Sequence, residues 1–126
     1  MRTVYVDTSA LVSMVLREPE ETEIARLLSQ FGRVVASNLL EAELRCVCFR
    51  EGITLQEDLL SEIQWIEPNR ALTAEITRVL TAGYVRGADC WHLASALFLA
   101  PNPTGFTFLT RDVRQREVAQ TLGFET

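Results

Sequence analysis

Four short β-prone runs alternate with helical stretches along this chain, and that alternation restricts the fold more than any other feature. Val4-Tyr5-Val6, Val34-Val35-Ala36-Ser37, Trp65-Ile66 and residues 106–110 read as strands. Between them apolar residues recur at helical spacing. A helix opens at Thr8 or Ser9 and runs through Leu16. A second starts in Glu18-Pro19-Glu20-Glu21, with proline in the first turn and acids facing the positive end of the helix dipole. It continues through Ile24, Leu27 and Leu28, and Gly32 ends it. Asn38 with Glu41 three residues on resembles a capping box for a helix from Leu39 to about Arg50, stopped by Gly52. Thr54 opens another helix over Leu55, Leu59, Leu60 and Ile63. Residues 72–80 and the strongly apolar 88–100 are helical, with Gly83 and Gly87 flanking the loop between them. A last helix covers 112–122, before Gly123 and a short strand at Phe124. This pattern predicts an α/β fold: three layers, α/β/α, around a short-stranded, mainly parallel sheet.

With 126 residues the chain is expected to form a single domain over 1–126. A 48% hydrophobic content with 23% charge excludes a disordered chain. No apolar run approaches the ~20 residues of a membrane helix. The opening Val4-Tyr5-Val6 is too short for a secretory signal, so a cytoplasmic location is expected. Cys46, Cys48 and Cys90 are an odd count and read as reduced thiols. Cys46, Cys48, Cys90 and His92 could be drawn as a zinc site. Residues two apart on a helix do not face each other, however, so buried or half-buried thiols are the better reading.

The net charge is −5, and the chain has no lysine. Every fixed cation is an arginine. That removes P-loop and Schiff-base chemistry, and counts against receiver domains and dehalogenase-type phosphatases, which also need a lysine. In parallel sheets, functional residues gather at the carboxyl ends of strands. Asp7 directly follows the first strand, Glu43 lies on the helix after the second, and Asp112 follows the last strand by two residues. Asp89 sits in the first turn of the helix leading to that last strand. Taken singly, Asp89 and Asp112 suit helix caps, and Glu43 a solvated face. Asp7 ends an apolar strand, where its desolvation calls for a binding partner. If the four converge, two carboxylates ~5 Å apart repel by about 3 kcal/mol at an effective dielectric near 20. With no lysine to offset them, one or two hard divalent cations, Mg²⁺ or Mn²⁺, fit best. Such ions serve phosphoryl displacement without a protein nucleophile.

These residues stand in motifs that resemble PIN-domain ribonucleases. Val4-Tyr5-Val6-Asp7-Thr8-Ser9-Ala10-Leu11 is similar to the family's opening motif, and Val35-Ala36-Ser37, Leu39-Leu40 and Glu43-Leu44 to its second. Asp89, His92-Leu93-Ala94 and Ala96 resemble the third. Phe108-Leu109-Thr110, Asp112, Ala119 and Leu122-Gly123-Phe124 resemble the last. Their order and the chain length resemble VapC-type toxins of toxin–antitoxin pairs. The resemblance implies that Asp7, Glu43, Asp89 and Asp112 bind metal and carry catalysis, with Ser9 and Thr110 supporting the acids by hydrogen bonds. Glu41 is the competitor for the second position, but its capping position gives it a structural role. His92, one helical turn after Asp89, is expected either packed and hydrogen-bonded or supporting the acids. Trp91, where the family usually carries a smaller residue, is expected in the core or a subunit interface.

The acidic balance departs from a typical RNA-binding surface. Arg86, Arg111, Arg114 and Arg116 lie beside Asp89 and Asp112 and are candidate phosphate contacts. The acidic run Glu18–Glu23 is expected to be solvated. The resemblance therefore implies a Mg²⁺/Mn²⁺-dependent endoribonuclease on single-stranded or loop RNA, homodimeric and held by a cognate antitoxin protein. The alternative is a PIN-fold module that binds RNA or protein without cleavage. An enzyme on small phosphate esters ranks last.

Overall fold

A computed structural model describes residues 2–16 and 21–126. The elements are β1 (Thr3–Val6), α1 (Thr8–Val15), α2 (Glu21–Leu28), β2 (Arg33–Ser37), α3 (Leu39–Glu51), α4 (Glu57–Ser61), β3 (Ile63–Ile66), α5 (Thr73–Ala82), α6 (Gly87–Leu99), β4 (Thr107–Leu109) and α7 (Val113–Leu122). The helix start expected at Glu18-Pro19-Glu20 lies outside the described residues. So do the side chains of the acidic run up to Glu23.

All strand pairings in the sheet are parallel, in the order β3-β2-β1-β4. Alternation along each strand sends side chains to two faces. Tyr5, Val35, Ile66 and Phe108 enter one core with α5, α6 and α7; Val4, Val6, Ala36 and Ile63 enter the other with Leu11 of α1 and Leu40 and Leu44 of α3. The three expected layers are therefore present. The chain moves from β1 through β2 to β3 on one side, then crosses back to lay β4 on the far side of β1. Right-handed crossovers running in opposite directions must place their helices on opposite faces. The strand order thus reverses at β1, and the carboxyl ends of β1 and β4 flank the crevice that open α/β sheets use for ligands.

Three local expectations are corrected. Asn38 has helical backbone angles (φ −61, ψ −16) and makes no side-chain cap. Ser37 Oγ accepts from the Leu39 N–H instead (3.0 Å), and Glu41 pairs with Arg45 (2.9 Å) on the surface. The helix expected from Thr54 begins only at Glu57, and Ile63 belongs to β3, buried and paired with Val34. Sheet pairing and burial override the local helical spacing there. At the chain end, the strand expected at Phe124 is reduced to one bridge between Thr107 and Glu125.

The long apolar helix α6 fills the core over β2, with Leu93 fully buried. Two residues on, the Ser95 hydroxyl is buried without a hydrogen-bond partner. An unsatisfied buried hydroxyl costs about 1–3 kcal/mol. Ser95→Ala should therefore raise stability by about 1 kcal/mol, whereas Leu93→Ala should lower it by about 2–5 kcal/mol. Urea midpoints at unchanged slope would check both.

Candidate active site

The crevice begins where β1 and β4 end. Val6 pairs with Leu109, and the next backbone N–H, that of Asp7, donates to the Leu109 carbonyl at 3.1 Å. Asp7 and Thr110 are thereby held side by side. Asp7 is only 2% exposed. Its Oδ1 accepts from Ser9 Oγ (2.7 Å) and the Ala10 N–H (3.2 Å), which makes it the N-cap of α1. Its Oδ2 accepts from Thr110 Oγ1 (2.6 Å). Burial still wins over these bonds and pushes the Asp7 carboxyl above the usual range. The expected supporting positions of Ser9 and Thr110 thus coincide with direct contacts. Both hydroxyls also accept backbone N–H groups from the turn after β4, Arg111 onto Ser9 (3.0 Å) and Asp112 onto Thr110 (3.0 Å).

Glu43 arrives from α3, on the opposite layer from α6. Its Oε1 accepts from Thr8 Oγ1 (2.6 Å) and lies 2.9 Å from His92 Nε2. These bonds, that to His92 foremost, lower its carboxyl below the ordinary range. His92 is 2% exposed, so it is both packed and in contact with an acid of the site. Its Nδ1 lies 2.6 Å from the Tyr5 hydroxyl, which also accepts from the Ser37 backbone N–H (3.1 Å). A carboxylate can only accept, so the Nε2–H tautomer suits both neighbours: Nε2–H donates to Glu43, and Nδ1 accepts the phenol proton. Ser37 Oγ accepts from Trp91 Nε1 (3.1 Å). Trp91 packs against the core on the α6 side, as expected, with its polar tip joined to this chain.

Asp89 is half-buried in the first turn of α6. Burial raises its carboxyl, and repulsion from Asp112 adds to this, with a smaller contribution from Glu43. Asp112 is exposed and caps α7 through the Gln115 N–H (2.8 Å). Fully buried Gln115 braces the arrangement, its Nε2 donating to the Asp89 carbonyl (3.2 Å). A cavity of ≈380 Å³ is lined by Asp7, Thr8, Ser9, Val12, Glu43, Asp89, His92, Arg111 and Asp112. All four predicted acids therefore share one cavity, and Glu41 is not among its walls. A larger cavity of ≈720 Å³, between α2, α4 and the near ends of β2 and β3, contains none of them. Chemistry rather than volume selects the smaller one.

Among the described residues no three His, Cys, Asp or Glu side chains already close around a point as a metal cage. The donor set itself suits a hard divalent ion: carboxylate oxygens, no lysine, and two acids whose ionisation the fold disfavours. Cys48 and Cys90 are buried free thiols, as expected, whereas Cys46, expected buried or half-buried, is exposed on α3. Of the arginines, Arg111 lines the acid cavity, while Arg86 and Arg114 line a second, adjoining one. Arg116 lines neither and donates to the Thr110 carbonyl (3.0 Å). Sequence reasoning missed Tyr5, Thr8 and Gln115. A phenol in an apolar strand, which must find a polar partner when buried, was the available signal for Tyr5.

The sequence matches the PIN domain family over residues 4–120, and the chain belongs to that family. It is 28% identical over 126 residues to Ribonuclease VapC46 of Mycobacterium tuberculosis, a match covering 98% of this chain and 95% of the relative. The resemblance to VapC-type PIN domains read from the motifs therefore holds along nearly the whole sequence.

Two predictions arise from the buried groups. The protein has one histidine, so its ring nitrogens give a single set of NMR signals. They should report the Nε2–H form, and Tyr5→Phe should shift the tautomer balance and lower stability by about 1–3 kcal/mol by leaving Nδ1 and the Ser37 N–H without that partner. The second concerns Asp7, whose raised carboxyl makes the folded metal-free chain bind a proton more readily than the unfolded chain. That contribution favours folding below the unfolded carboxyl value and is lost as pH rises through the folded one. Asp7→Asn keeps the shape, and Thr110 can turn its proton to Gln115 Oε1 at 3.1 Å. The variant should therefore melt higher than wild type at about pH 8, with the gain vanishing towards about pH 4.

Proposed function

We propose that this chain, as one PIN-like domain over 1–126, is a divalent-metal-dependent endoribonuclease and the toxin of a VapBC-type toxin–antitoxin pair. The observation that carries this reading is the buried Asp7 at the β1/β4 switch point, sharing one cavity with Glu43, Asp89 and Asp112. Asp7 is the central metal ligand, and Glu43, Asp89 and Asp112 complete the set. One or two Mg²⁺ or Mn²⁺ ions bound there would supply an activated water for attack at phosphorus and positive charge to offset the leaving oxygen. Ser9 and Thr110 hold the Asp7 oxygens, and His92 orients Glu43 by donating to it. Arg86, Arg111 and Arg114 form a rim for RNA phosphates, with Arg116 behind them on the Thr110 carbonyl.

The substrate in this reading is single-stranded or loop RNA. The relative's name, Ribonuclease VapC46, supports the activity and the toxin role. A cognate antitoxin protein, a homodimeric assembly and a cytoplasmic setting belong to the same reading. No helix among the described residues is long and apolar enough to cross a membrane. The alternative reading is a PIN fold that binds RNA or protein without cleaving.

One pair of measurements separates the two. Mn²⁺ titrated calorimetrically into the metal-free protein should bind, and Asp7→Asn should abolish that binding while leaving the circular dichroism spectrum unchanged. The same substitution should reduce cleavage of single-stranded RNA by at least about a hundredfold. Equal cleavage by folded, nuclease-free Asp7→Asn would reject the enzyme reading, and metal-independent RNA binding without cleavage would install the binding module.

A further inference from the structure

Beside the acid cavity lies a second one of ≈290 Å³, lined by Tyr84, Val85, Arg86, Asp89, Asp112 and Arg114. The two share Asp89 and Asp112 as a common wall. The volume is at the small end for ligand sites, room for one ring system rather than a long side chain bundle. Its outer edge is Tyr84, 72% exposed although aromatic. A single exposed aromatic is ordinary on a protein surface. This one differs in its placement, lining a cavity that adjoins the candidate reaction site and is walled by two arginines.

The loop that carries Tyr84 is fixed rather than loose. The Gly83 N–H donates to the Val79 carbonyl (3.1 Å), Val85 is buried, and Arg114 Nε donates to the Tyr84 carbonyl (3.1 Å). Gly83 packs so closely that an added Cβ would sit 2.9 Å from the Arg114 guanidinium and 3.0 Å from Val118. The backbone of Tyr84 is thus set on both sides while its ring faces solvent. A tyrosine on a fixed backbone has only two side-chain torsions, so little conformational entropy is lost when a flat ligand stacks on it.

We infer that this cavity is a stacking subsite for one nucleobase of the RNA strand, next to the phosphate held at the acids, with Tyr84 as the platform and Arg86 and Arg114 gripping the adjoining backbone. The inference rests on the ribonuclease reading above and deepens it. A polyanion passing the acid cavity is drawn along the arginine-flanked side, and the next base along the strand then meets the ring. Stacking needs only a π-face, so the subsite tolerates every base and sets position more than sequence.

The test uses the full chain and a fluorescein-labelled single-stranded RNA of mixed sequence that the wild type cleaves. Tyr84→Ala should raise KM about 5- to 150-fold, and Tyr84→Phe should remain near wild type because it keeps the ring. Replacing single nucleotides by abasic ones should reveal one position, adjoining the cleaved bond, where loss of the base weakens the wild type but leaves Tyr84→Ala nearly unchanged. Equal KM for wild type and Tyr84→Ala overturns the inference, as does a loss that no abasic position mirrors. Unchanged RNA kinetics with weakened binding of an arginine-bearing antitoxin peptide would also overturn it, in favour of a protein contact. If the wild type neither binds nor cleaves any RNA, the ribonuclease reading itself fails, which is a distinct result.

Discussion

A carboxylate that is 2% exposed has to be held by something, and in this chain the holding of Asp7 organises everything around it. The Asp7 N–H onto the Leu109 carbonyl extends the β1–β4 pairing one step beyond the strands. Ser9 and Thr110 then clasp the carboxylate from α1 and from the end of β4, and accept the backbone N–H groups of Arg111 and Asp112 in turn. One acid therefore fixes the helix cap of α1, the exit from β4 and the placement of Asp112. The arrangement is costly in the free protein, since burial opposes ionisation. Strain of this electrostatic kind is common at sites that await a counter-charge.

The opposite wall depends on a thinner thread. Glu43 and His92 come from different layers, and the link between them passes the edge of the sheet to the Tyr5 phenol and the Ser37 backbone. Tyr5 also stacks on Phe108, with ring centroids 5.0 Å apart and planes 6° apart. The same side chain thus serves apolar packing in the α5–α7 core and polar alignment at the site. Substituting it perturbs both, which is why the tautomer signature is more informative than stability alone.

Much of this was legible in the sequence because it is written in short-range patterns. Short contiguous β-prone runs marked the strands, and the carboxyl-end rule put Asp7, Glu43 and Asp112 at one sheet edge. What escaped notice depended on partners distant in the chain. The Asn38/Glu41 spacing suggested a cap, but the preceding Ser37 was already positioned to take the N–H. Ile63 read as helical until pairing with Val34 made it strand. The Tyr5–His92 bond joins residues 87 positions apart, and no local spacing encodes that. Net charge is a coarse guide of another kind. A total of −5 says little about a surface where Arg86, Arg111 and Arg114 gather around two cavities.

The position of β4 has a temporal side as well. It is the last strand in the chain, yet it pairs with the first, and both Asp89 and Asp112 lie beyond the midpoint. A chain emerging from the ribosome displays Asp7 and Glu43 while the other half of the cavity is still unmade. At about 5–20 residues per second, the stretch from α6 to the end follows seconds later. Until it arrives, β1 has an open edge where β4 belongs, and Asp7 has neither Thr110 nor the shared wall. Whatever the pocket does, it cannot do before the stretch from α6 to α7 has emerged and β4 has paired with β1.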